Sequence, residues 1–145
     1  MTLRWAATGV VLCSVLGFAM GVAGSGAATA CTPAFKGATA VQSPRYTVAW
    51  RTHPAGIAVG QHFAVDFVVC PKAGAAAPKE LRIDAQMPEH GHGMNYKAVV
   101  TPVKSEGDGR YRADGLMFHM PGRWELMFEL RGDAIDRLVA EVILK

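Results

Sequence analysis

Met87-Pro88-Glu89-His90-Gly91-His92-Gly93-Met94 places two of the chain's five histidines, two methionines and two glycines within eight residues. His119-Met120-Pro121-Gly122 repeats that chemistry further along. Imidazole and thioether are a donor pair suited to copper, with thioether favouring Cu(I). Both survive in an oxidising compartment, where a thiolate site is open to oxidation. Glycine at 91 and 93 permits positive φ and lets the two imidazoles turn the same way. The candidate ligands for a copper ion are therefore His90, His92, Met94, His119 and Met120, with His53 and Met87 in reserve.

Plainer readings stand beside these. Met87 ends an inward-facing strand and reads as core before ligand. Met117 alternates with Phe118 and reads as packing, and His62 reads as a solvated strand start. Met120-Pro121-Gly122 also makes sense as a tight turn feeding Trp124 into the core. The spacing H-x-H-x-M carries less information than a CxxC pair. A zinc hydrolase needs three His or carboxylate ligands and a base, and only Glu89 is near. The sequence shows no Ser-His-Asp or Cys-His arrangement and no glycine-rich phosphate loop. Binding is expected here, not enzymatic turnover.

The elements that position these residues follow from period-two alternation. It predicts strands over residues 45–51, 62–70, 80–87, 96–104, 110–118, 123–130 and 135–144. In the second of these, Phe63, Val65, Phe67 and Val69 point inward and His62, Ala64 and Asp66 outward. Trp124, Leu126, Phe128 and Leu130 point inward in the sixth. Pro102 suggests an edge position for the fourth, and Glu106-Gly107-Asp108-Gly109 is a hairpin turn. About seven short strands separated by turn signals, with no helical period, predict an all-β fold: an immunoglobulin-like antiparallel β-sandwich.

Strand parity then gathers the histidines. Consecutive antiparallel strands reverse direction, so every second connection lies at the same end. The first connection carries His53 and leads to His62, the third is the 87–94 loop, and the fifth is the 119–122 turn. All five histidines fall at one end and none at the other.

The N-terminal 30 residues read separately. Arg4 precedes an apolar run from Trp5 to Val22, and Ala28-Thr29-Ala30 is an A-x-A-like cleavage site. That order is expected of a signal peptide. An uncleaved membrane anchor is the alternative, because the run is long enough to span a bilayer. Residues 31–44 read as a linker arm, and 45–145 as the domain. Export leaves Cys31 and Cys70 as a disulfide pair, worth roughly 3–4 kcal/mol by chain entropy. The rival reading is lipidation of Cys31. Only Arg4 of the 15 Lys and Arg, set against 12 Asp and Glu, lies in the leader, so the rest is close to neutral. Neither a nucleic-acid footprint nor a run of like charge is present. Membrane contact is expected only through the N-terminal segment or a lipid on Cys31.

Three stretches in order carry a family resemblance: Ala85-Gln86-Met87-Pro88-Glu89-His90-Gly91-His92-Gly93-Met94, then Gly109-Arg110-Tyr111-Arg112-Ala113, then Gly115-Leu116-Met117-Phe118-His119-Met120-Pro121-Gly122-Arg123-Trp124-Glu125-Leu126. Over roughly Tyr46 to Leu144 the chain resembles the YtkA-like domain family, which is close to the FixH-like proteins. The resemblance implies an exported or membrane-anchored immunoglobulin-like sandwich of bacterial origin. FixH-like members are associated with copper supply to, or assembly of, a terminal oxidase, which implies a cell-envelope or oxidase-assembly partner. The chain differs in having no second apolar segment of spanning length and no cysteine pair of the thiol copper-chaperone kind. Two functions follow as expectations. One is a periplasmic copper carrier. The other is a non-metal structural or interaction module docking to a membrane or cell-envelope complex.

Overall fold

The computed structural model describes residues 36–104 and 109–145. The leader, Cys31, the cleavage and lipidation alternatives and most of the Glu106–Gly109 turn lie outside the described residues. Nine strands are present: β1 (Thr39–Gln42), β2 (Tyr46–His53), β3 (His62–Pro71), β4 (Glu80–Met87), β5 (His92–Gly93), β6 (Val99–Pro102), β7 (Arg110–Met117), β8 (Gly122–Arg131) and β9 (Ile135–Leu144). They form two antiparallel sheets, ordered β1-β2-β3-β7-β6 and β5-β4-β8-β9. This is the expected all-β sandwich, and no α-helix occurs among the described residues. No helix there is long and apolar enough to cross a membrane.

The alternation places the core as expected. Val48, Phe63, Val65 and Phe67 from one sheet meet Ile83, Trp124, Leu126, Phe128 and Leu130 from the other, all buried. Phe67 touches Phe128 with ring centroids 5.5 Å apart, close enough for an edge or tilted aromatic contact beyond simple area burial. These side chains project from strand positions two apart, which is why the period-two pattern was decisive.

Three expectations are corrected. Residues 39–42, assigned to a linker arm, form β1 and pair with β2 from Thr39↔Trp50 to Gln42↔Thr47. An edge strand needs only one apolar contact to dock, and Val41 supplies it against the core, so the polar composition hid it. The fourth predicted strand, 96–104, shortens to Val99–Pro102. Residues 94–98 instead cross from one sheet to the other, and Tyr96 packs its ring edge-on to His62 at 5.1 Å. Ala64, predicted outward, is buried. Its neighbour Asp66 is only partly exposed, with one carboxylate oxygen 2.8 Å from Arg112 Nη1 and the other 3.3 Å from Arg51 Nη2. Pro102 does lie on an edge strand, as its missing N–H requires. Cys70 is disulfide-bonded, and the expected partner Cys31 lies outside the described residues.

Candidate functional site

The first loop is a tight hairpin. Met87 pairs with His92 and Gln86 with Gly93, so only residues 88–91 form the turn. The amides of His90 and Gly91 both donate to the Met87 carbonyl, at 3.1 and 3.0 Å. Gly91 sits at φ +66°, a conformation open to glycine at little cost. Gly93 does not share it, contrary to expectation. Its role is close approach: a Cβ there would lie 3.2 Å from the Ala85 carbonyl oxygen. Met94 continues the pairing, its amide donating to that same oxygen at 2.9 Å.

The second loop follows β7. Gly122 opens β8 at φ +124°, and a Cβ on it would come within 2.8 Å of Met87 Cε. The two loops therefore interlock, with the fully buried Met87 thioether beneath the Gly122 backbone. That contact puts Met87 in the core. The connection from β2 to β3 joins the same end: Gly60 N donates to Phe118 O at 2.8 Å.

This arrangement brings three imidazoles together. The His90 and His92 ring centroids are 5.7 Å apart and those of His92 and His119 are 5.2 Å apart. Two imidazoles bound to one ion through metal–nitrogen bonds of about 2.0 Å in tetrahedral geometry would place their centroids roughly 5 Å apart. The two observed spacings lie close to that value. His119 Nδ1 is buried and has no hydrogen-bond partner. A buried imidazole nitrogen without a partner carries a desolvation cost of about 1–3 kcal/mol, which a ligand on that atom would relieve. Met94 and Met120 are partly buried and pack against the core.

Trp124 forms the floor, a role the sequence did not disclose because an inward tryptophan in a strand reads as core. It is fully buried and stacks on Phe118 at 4.5 Å. Its edge-on contacts reach His119 at 5.4 Å and His92 at 6.3 Å. Its indole N–H donates to the Met120 carbonyl at 3.0 Å, which locks the turn that carries His119.

The other two histidines stay apart. His53 is exposed at the end of β2 and makes no ring contact with the three among the described residues. His62 is engaged with Tyr96. Glu89 is held 3.3 Å from Arg123 Nε. The hydrogen bond to Glu89 is the main cause raising the Arg123 guanidinium above its ordinary pKa, so this carboxylate is occupied as an ion-pair partner.

The YtkA-like family model matches residues 41–129. The chain belongs to the YtkA-like family. The matched span contains both loops, all five candidate ligands and Trp124, and it ends in β8. No curated protein and no solved structure matches the chain. In this YtkA-like domain, no group of three or more His, Cys, Asp or Glu side chains among the described residues is gathered tightly enough to hold a metal as it stands. A ligand set drawn from this end would have to combine imidazoles with the thioethers of Met94 or Met120. A groove of about 970 Å³ lies elsewhere in the YtkA-like domain, between the outer side of β4 and β8 and residues 94–100. Its arginines Arg82, Arg131 and Arg137 are paired with Glu80 and Glu129, and Met94 is the only candidate ligand lining it.

Proposed function

We propose that this protein binds copper at the His/Met end of the sandwich and serves in carriage or delivery of the ion in the periplasm. The observation that carries the reading is the run of imidazoles His90, His92 and His119, ring to ring at 5.7 and 5.2 Å, with His119 Nδ1 buried and unpartnered. The donors are neutral: imidazole suits copper among other ions, and the thioethers favour Cu(I). Their burial is graded. His90 is exposed, while His92 and His119 are partly buried. A graded set suits transfer, because the outermost donor can be replaced by a donor on a recipient while the inner ones hold the ion. Carriage is favoured over turnover because Glu89, the one carboxylate in the loops, is engaged by Arg123. The exported setting rests on the signal-like N-terminus, and an oxidase-assembly or other cell-envelope partner rests on the family.

A second reading has its own observation. Because no three His, Cys, Asp or Glu side chains converge as they stand, the two interlocked loops could serve instead as a docking surface for a cell-envelope complex. Titration of the full chain with Cu(I) against a competing chelator separates the two. A His90→Ala/His92→Ala/Met94→Ala variant is titrated alongside. Tight one-to-one binding that the variant loses is expected. Weak binding, equal in both proteins, overturns the copper reading and leaves the docking surface.

A further inference from the structure

Three of the four edge strands are short: β1 and β6 have four residues and β5 has two. β9 differs. All ten of its residues pair with β8 in unbroken register, and its other side pairs with no strand among the described residues. Long open edges are usually blunted by proline, a bulge or charged side chains; residues 135–144 contain no proline and no bulge, and their charges are Asp136, Arg137 and Glu141. Of the six large hydrophobic side chains exposed among the described residues, three stand on this one strand: Ile135, Val139 and Ile143, at 55, 48 and 57% exposure.

The outward face of β9 reads Ile135, Arg137, Val139, Glu141, Ile143. That pattern is complementary to itself when reversed about Val139. We propose that β9 pairs antiparallel with β9 of a second copy of this chain, on a twofold axis at Val139, joining two four-stranded sheets into one of eight. Ile135 then faces Ile143 of the second copy, Val139 faces its equivalent, and Arg137 faces Glu141 twice. Opposite-charge and apolar pairs directly across antiparallel strands are the stabilising unit of a sheet, and a twofold contact requires this self-complementarity. Arg137 already lies 2.9 Å from Glu129, and Glu141 lies 3.7 Å from Arg123. The new pairs would extend two existing charge ladders across the boundary. Both side chains are well exposed, at 68 and 58%. Antiparallel pairing would set the two histidine ends at opposite extremes, leaving each open. This inference is independent of the copper reading.

Sedimentation of the full chain over a dilution series tests it. A reversible monomer–dimer equilibrium is expected. Arg137→Glu places a carboxylate opposite Glu141 of the second copy, and Glu141→Arg places a guanidinium opposite Arg137. Each change turns two attractive pairs repulsive, and each should weaken self-association about tenfold or more. An equimolar mixture of the two variants has opposite charges at every facing position and should dimerise like the original. Val139→Lys sets two ammonium groups across the axis and should also dissociate the dimer. It decides the matter if a charge variant fails to fold. A chain that stays monomeric at every concentration overturns the proposal. So does a dimer that survives Val139→Lys, or variants that do not associate when mixed.

Discussion

The two ends of this sandwich treat their polar groups differently. At the end holding the starts of β2, β4 and β9, most polar groups are matched by hydrogen bonds, and Asp136 Oδ2, which has none, is matched by an ion pair. The Tyr46 hydroxyl donates to the Ala76 carbonyl at 2.9 Å, and Lys72 Nζ donates to the Ser43 carbonyl and to Gln42 at 2.7 and 3.1 Å. Arg45 pairs with Asp136 and Lys79 with Asp133, and Cys70 is disulfide-bonded. At the histidine end, the backbone is just as tightly held by glycine turns and the Trp124 hydrogen bond. Yet it leaves His119 Nδ1 buried with no partner and a tilted run of three imidazoles, His90 against His92 and His92 against His119. The first end closes the fold. The second fixes a frame around donors that the fold itself does not use, as a site prepared for something outside the chain would be.

Three substitutions test that contrast. The largest effect is expected at the shared frame: Trp124→Ala should lower stability by about 4 kcal/mol in urea denaturation, because it empties the site floor and the core together. A loss under half of that would mean the indole is not the platform on which the two loops rest. At the closed end, Tyr46→Phe should cost about 1 kcal/mol, the net worth of one satisfied hydrogen bond. At the open end, His119→Phe should leave stability unchanged or raise it by up to about 1 kcal/mol, since it removes a buried polar atom without a partner. The same change should weaken Cu(I) binding in the chelator competition. If His119→Phe instead destabilises the fold as strongly as a core truncation, the imidazole serves the structure and the contrast between the ends disappears.

Much of this was legible beforehand, for identifiable reasons. β4, β8 and β9 were readable because each buries one face, so apolar residues recur every second position. The common end of the histidine loops was readable because the long strands alternate in direction, and the two missed strands leave those directions unchanged: β1 precedes them all, and β5 only turns back along β4 before the chain reaches β6. β1 escaped because an edge strand with wet side chains carries no alternation. The short β5 escaped because two residues are too few to show a period.

The fold class, most of the inward faces and the end of the sandwich carrying imidazole and thioether were legible along the chain, because period and parity are local or countable properties. Only the tertiary structure decided which of those groups meet. It brought His90, His92 and His119 into ring contact while sending His62 to Tyr96, and it set Met87 under Gly122. It made Trp124 the floor and left β9 as the one long edge strand among the described residues. Those outcomes depend on loop geometry and cross-sheet distances between residues far apart in the chain. No pattern along a single strand encodes them.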